Sequence, residues 1–268
     1  MNVNLSGKLS LICASSKGLG YACAKQLAIA GSDVILTSRS KTNLDNASAE
    51  IRKALAETES SAKVFVAEID FEDKKCVDEF IDNIGQFGEI DVLITNSGGP
   101  APGAFSDFSS SQELEEKCAS ITYPATSLMM QAIPQMKKKG WGRIINISSI
   151  GLARPITGLA VSNAARAHLG GLMTGISNET AKFGITVNSI LPGIIWTERQ
   201  LELSKSEALK TCTDLESVIK QKRNSIPLGD MGKPDDVAYL ATFLASDFAS
   251  YISGQFIAVD GSFLGLLR

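Results

Sequence analysis

Short apolar runs alternate with helical stretches along the whole chain, and this rhythm constrains the fold more than any other feature. The strand-like runs are LSLICA (9–14), DVILTS (33–38), KVFVAEI (63–69), DVLITN (91–96), RIINIS (143–148), ITVNSIL (185–191) and QFIAV (255–259). Between them lie helical patterns such as GYACAKQLAIAG and KTNLDNASAEIRKALAE. Strands joined by helices pair in parallel through right-handed crossovers, and the helices cover both faces of the sheet. The expected fold class is therefore α/β: one doubly wound domain, 1–268, around a seven-stranded parallel sheet. No Pro/Gly/Ser linker and no internal repeat divides it. A last helix is expected from about Asp235 to Ser246, after Pro234, with Asp235 and Asp236 at its positive end.

Two stretches break the rhythm. SGGPAPGAF (97–105) is too rich in Gly and Pro for a helix, and 194–234 is a long polar helical insertion. Ligands of open α/β sheets bind beyond the carboxyl ends of the strands. Both stretches lie just past such ends and are expected to border a pocket. The competing reading of the longer one is a solvated pair of surface helices.

Composition excludes several classes of function. With 26 basic and 29 acidic residues the net charge is −3, and no basic face for nucleic acid is readable. No apolar run reaches the ~18 residues of a membrane span, and MNVNLSGKLSLICASS does not read as a signal peptide. A cytoplasmic protein without membrane or nucleic-acid partners is expected. Five cysteines without a Cys-x-x-Cys pair, and one histidine, His168, offer no clustered metal ligands. The cysteines read as reduced packing residues, and His168 as a packing or interface residue.

The segment CASSKGLGYACAKQLA turns from the first strand into the first helix. Gly18 and Gly20 let the backbone approach a pyrophosphate, and the helix N-terminus offers N–H donors and a positive dipole end. Four further segments stand in order behind it: Asn96-Ser97-Gly98-Gly99, GRIINISS (142–149), GITVNSILPGIIWT (184–197) and YISGQFIAVDG (251–261). Together with Cys13-Ala14-Ser15-Ser16-Lys17-Gly18-Leu19-Gly20 they resemble, over essentially the full length, the classical short-chain dehydrogenase/reductase family. The likeness is greatest to its 3-oxoacyl-carrier-protein reductase-like members, especially a divergent group with Gly-Gly-Pro after the fourth strand. The resemblance implies a Rossmann fold with strand order 3-2-1-4-5-6-7 and an NAD(P)-dependent oxidoreductase. It also implies cofactor contacts from Ser15, Lys17, Gly18, Leu19, Gly20, Asp70 at the adenine, Asn96 and Gly98 along the ribose, and Pro192, Gly193, Ile195 and Thr197 at the nicotinamide. Two departures lie in the phosphate loop. Ala14 replaces the family's first glycine, although alanine tolerates positive φ poorly, and Cys13 replaces a threonine that braces the loop.

NAD-preferring relatives carry an acidic residue at the end of the second strand. Here that position is Ser38, followed by Arg39, and Lys17 adds a second cation from the loop. A carboxylate would repel a 2′-phosphate and a guanidinium would attract it. The expected cofactor is NADP(H), ahead of NAD(H).

The family's catalytic serine falls on Ser149. Its tyrosine, thirteen residues on, falls on Ser162, and its lysine, four beyond that, on Arg166. The assisting asparagine falls on Ile121, beside Ser120. A phenol ionises near pKa 10. An aliphatic hydroxyl is a far weaker acid, and an arginine does not shuttle protons. Tyr123 is a weak substitute donor. Three readings are open. The first is an NADP(H)-dependent oxidoreductase of a small carbonyl or alcohol, in which Ser149 and Ser162 hold a proton-supplying water and Arg166 orients the cofactor and polarises substrate. The second is a catalytically silent NADP(H)-binding sensor or scaffold, and the third a pocket reused for another small molecule. Trp196 and Phe105 are expected as apolar walls, with Arg154 and Arg199 at the mouth. That arrangement suggests an anionic carbonyl compound, or by family analogy an acyl thioester. The small residues of LGGLMTGISNETAKFG (169–184) suit close helix contact, and the resemblance implies a homotetramer.

Overall fold

The computed structural model describes residues 2–265. The strands are β1 (Leu9–Ile12), β2 (Asp33–Ser38), β3 (Val64–Glu68), β4 (Val92–Thr95), β5 (Gly142–Ile147), β6 (Ile185–Pro192) and β7 (Phe256–Val259). The helices are α1 (Gly18–Ile29), α2 (Lys41–Leu55), α3 (Lys74–Asn83), α4 (Ser111–Lys139), α5 (Ala160–Thr180), α6 (Glu198–Thr211), α7 (Leu215–Asn224) and α8 (Pro234–Ala245). All seven strands pair in parallel in one sheet ordered β3-β2-β1-β4-β5-β6-β7.

Adjacent strand residues point to opposite faces, and here both faces are covered. Ile12, Ile94 and Ile145 pack with α1, α2 and α8; Leu11, Leu93 and Ile144 pack with α3, α4 and α5. The unbroken apolar runs are the consequence. The expected strands and helices form, and Pro234 opens α8 as its first residue, where a missing N–H costs nothing. β1 ends two residues earlier than expected, because Cys13 and Ala14 already belong to the turn into α1.

The chain steps outward from β1 to β3, then returns to the other side of β1 as β4. The strand order therefore reverses between β1 and β4, and the segments after these two strands diverge to leave a crevice. Pro124 in α4 has no N–H for the Ser120 carbonyl four residues back. The helix is thus open at Ser120 and Ile121, where it meets that crevice.

Candidate active-site cleft

A cleft of about 530 Å³ lies over the carboxyl ends of β1, β2, β4 and β5. Its floor begins at the phosphate loop. Ala14 adopts φ +48, the left-handed region its side chain disfavours. Thr37 Oγ1 accepts from Ala14 N at 3.2 Å, and Asn96 Nδ2 donates to the Cys13 and Ala14 carbonyls at 3.3 and 3.4 Å. The bracing lost with threonine at position 13 comes instead from Ser15, whose Oγ donates to Ile12 O and accepts from Thr37 N. Gly20 is required by a close approach, since a Cβ there would lie 2.4 Å from the Ala14 carbonyl oxygen. Gly18 has φ +62. The α1 N-terminus has no side-chain cap and no acid in its first turn, so its donors and dipole face the cleft unopposed.

Ser38, Arg39 and Asp70 line the far end, with Lys17 nearby. Ser38 Oγ accepts from Ser16 Oγ at 3.0 Å. Both basic residues are engaged: Lys17 Nζ meets Glu198 Oε2 at 2.8 Å, which holds the Glu198 carboxyl below its usual range, and Arg39 lies 3.9 Å from Glu72. At the opposite end, Thr197 caps α6 by accepting from Gln200 N, and Arg199 Nη2 reaches across to Pro100 O at 2.7 Å. α6 thereby touches both the phosphate loop and the Gly-Gly-Pro loop.

Arg166 and Ser162 meet as their helical spacing predicts: Nε donates to Ser162 Oγ at 3.0 Å, and Nη1 donates to the Ile147 carbonyl at 3.4 Å. Burial without a neighbouring carboxylate pushes the Arg166 pKa down to about 10. Behind it a chamber of about 30 Å³, lined by Thr95, Asn96, Ser120, Asn146 and Arg166 among others, has the room and polar partners that one water needs. Thr95 Oγ1 and Asn146 Nδ2 continue a buried polar ladder to Ser189 across β4, β5 and β6.

Several of the expected residues lie off the cleft lining. Ser149 and Ser162 are not in the cleft wall. Ser149 Oγ accepts from Gly151 N at 3.0 Å, capping the short turn after β5, while Ser148 lines the cleft. Ser15 is wholly buried in the turn between β1 and α1. Pro192, Gly193 and Ile195 lie behind the wall: Gly193 N donates to Val259 O at 2.9 Å, and Ile195 bridges to Gly232. Gly20 is packed against the loop, whereas Gly18, Leu19, Gly98 and Thr197 do line the cleft. Trp196 and Phe105 point outward, 42% and 76% exposed, and the apolar walls are Phe71, Ile121 and Ile147. Arg154 is exposed outside the cleft; Arg199 lines it. Tyr123 donates to Asp78 on α3 under the Lys74 ammonium, away from the cleft, so it is no proton donor. His168 is exposed on α5 and is no packing residue within the chain. Ser148 and Ser149 stand out in the sequence as a serine pair closing an apolar run, with the catalytic position assigned to the second of them. Phe71, Glu198 and Glu202 line the cleft without any signal in the sequence.

A family model described as enoyl-(acyl carrier protein) reductase matches residues 13–263. Dehydrogenase/reductase SDR family member 4 of Oryctolagus cuniculus is 32% identical over 260 residues, 96% of this chain and 94% of that protein. The 3-oxoacyl-[acyl-carrier-protein] reductase of Aquifex aeolicus (strain VF5) is 32% identical over 267 residues, 97% and 99% of the two chains. Among solved structures, YwfH, an NADPH dependent reductase involved in bacilysin biosynthesis, has a TM-score of 0.89 at 29% identity, covering 98% of this chain and 100% of that one. L-sorbose reductase from Gluconobacter frateurii, complexed with NADPH and L-sorbose, has a TM-score of 0.90 at 25% identity, with both chains covered completely.

Proposed function

Because the chain belongs to the short-chain dehydrogenase/reductase family, we propose that it is an NADP(H)-dependent oxidoreductase of a small carbonyl or alcohol substrate, with proton delivery rebuilt around Arg166, which Ser162 positions. The observation that carries this reading is the continuous cleft from Arg39 and Lys17, past the uncapped N-terminus of α1, to Arg166. The bound nicotinamide would supply or accept hydride. The protein's part is to bind, orient and move a proton.

In this reading the open N–H groups of Gly18 and Leu19 hold the pyrophosphate, and Lys17 and Arg39 turn to a 2′-phosphate in place of their acidic partners. Ser38 offers a hydroxyl where NAD-preferring relatives carry an acid. Asp70 and Asn96 face the adenine and ribose, and Thr197 holds the nicotinamide end. Arg166 keeps the positive charge at the reacting centre but holds its own protons. A water in the chamber beside it carries the proton and is resupplied from bulk solvent, while the Ser162 hydroxyl, which accepts from Arg166 Nε, holds the guanidinium in place. The whole chain acts as one NAD(P)-binding domain, with 194–234 as its substrate-side insertion.

The same reading places the protein in the cytoplasm, where its free thiols stay reduced. It also assembles four copies, through the exposed Phe256 on β7, Tyr239 on α8 and the open Gly171 and Gly175 of α5. A second reading, cofactor binding without turnover, is favoured by one observation: neither Ser149 nor Ser162 reaches the cleft wall.

Calorimetric titration of the protein with NADPH and with NADH tests the cofactor site. NADPH is expected to bind far more tightly, and Lys17→Ala with Arg39→Ala to erase the difference. Absence of binding by either nucleotide would remove the assignment. Binding with no NADPH oxidation across a broad carbonyl panel would leave the silent reading.

A further inference from the structure

Four cations line the cleft, and three of them face a carboxylate. Lys17 pairs with Glu198 at 2.8 Å, Arg39 with Glu72 at 3.9 Å and Arg199 with Glu202 at 4.0 Å. Among the described residues Arg166 has no such partner. Its Nε and Nη1 each make one hydrogen bond, to Ser162 and Ile147, and Nη2 donates to no acceptor among the described residues. The next residue along from Ile147 is Ser148. It lines the same cleft at 5% exposure, and its Oγ, itself buried under the cleft surface, has no hydrogen-bond partner among the described residues, so that a turn of the side chain brings it to a ligand.

The fold thus leaves an unneutralised guanidinium with open donors beside an unused hydroxyl, against the apolar wall of Ile121 and Ile147. A desolvated cation is costly without a counter-charge, and a buried hydroxyl is costly without a partner. One ligand group answers both needs. A carboxylate accepts two parallel N–H bonds from the planar fork and has lone pairs left for a hydroxyl. A neutral carbonyl leaves the charge uncompensated.

We propose that the substrate of this cleft is a carboxylate-bearing compound whose anionic group docks on Arg166, with Ser148 Oγ as an additional donor. The inference names the substrate class within the oxidoreductase reading. The anion site itself rests only on Arg166 and Ser148.

The test is calorimetric titration of the full chain, with and without NADPH, using benzoylformate and its uncharged methyl ester. The acid is expected to bind roughly 10- to 100-fold more tightly, the span of charge-assisted hydrogen bonds. Arg166→Gln should erase the preference. Ser148→Ala, whose hydroxyl bonds nothing in the fold, should weaken the acid several-fold and leave the ester unchanged. This second variant decides the matter if the first does not fold. Equal affinities, no affinity for the acid, or a preference that survives the variants would overturn the inference. NADPH binding without an acid preference sinks this inference and spares the cofactor reading. An acid preference without NADPH binding does the reverse.

Discussion

Two arginines, one buried and one half-buried, sit at opposite ends of the strands and are satisfied in opposite ways. Arg143, near the start of β5, is 2% exposed. Its Nε donates to Ser246 O at 3.3 Å, Nη1 to Gly142 O and Gly184 O at 2.9 and 3.2 Å, and Nη2 to Asp247 Oδ1 at 3.1 Å. Its guanidinium also stacks 4.3 Å from the Trp141 ring, which Lys8 covers as well. Every arm is used by the fold. Arg166, at the carboxyl end, lines the cleft, uses two of its nitrogens and leaves the third without an acceptor among the described residues. Burial lowers the pKa of both. What separates them is whether the fold supplies acceptors. Where it does, the charge holds the chain together; where it does not, the charge is available to something else.

The largest expected effect tests that contrast directly. Arg143→Met leaves three carbonyls and Asp247 without their donor, and should cost about 3 kcal/mol of stability or more. Urea unfolding reads this as a lower midpoint at unchanged slope. Arg166→Met removes a charge that no carboxylate compensates, and should change stability by less than about 1 kcal/mol in either direction. Its cost appears in ligand binding instead. The comparison breaks if Arg166→Met unfolds the protein as readily as Arg143→Met.

The same contrast separates what was legible in the sequence from what was not. The sheet was legible because strands buried on both faces must be apolar throughout, and runs such as DVILTS and RIINIS carry that demand openly. The Ser162–Arg166 pair was legible because helical geometry alone fixes residues four apart. The strained Ala14 was legible as a side chain where the turn wants glycine, and its φ of +48 bears this out. The turns beyond the strands' carboxyl ends were not legible. Which of two adjacent serines turns into the cleft depends on where the chain bends after Ile147, and no periodicity reports that bend. Likewise Glu198 and Lys17, 181 residues apart, meet only because α6 crosses the cleft. Trp196 and Phe105 were expected as walls from their neighbours in sequence, yet the loops carrying them turn their side chains outward.

A smaller effect compares two unsatisfied hydroxyls, one at each end of the strands. Thr186 Oγ1 is buried without a partner among the described residues, beside Arg143 in the strand register and at the opposite end of the strands from the cleft. Thr186→Val keeps the shape and removes the unpaired group, and should stabilise the protein by about 1 kcal/mol with no change in ligand affinity. Ser148 is the counterpart whose removal should mark binding. If Thr186→Val altered binding, the division of the molecule into a structural end and a binding end would be wrong.

The smallest effect concerns the ion pair that spans the cleft mouth. Lys17 and Glu198 are exposed, 62% and 73% by side chain, and such pairs add little to stability because water screens them. Glu198→Gln should therefore leave the unfolding midpoint close to that of the wild type. Yet Glu198 occupies the ammonium that the proposed 2′-phosphate would use, and places a like charge beside it. Removing the carboxylate should tighten NADPH binding by roughly two- to five-fold at low salt, a gain that fades as the Debye length shortens toward about 8 Å at physiological ionic strength. NADH, with no 2′-phosphate, should gain nothing. An equal gain for both nucleotides would mean that Glu198 acts by holding α6 over the cleft rather than by competing for Lys17, and the cation at position 17 would then have no part in cofactor choice.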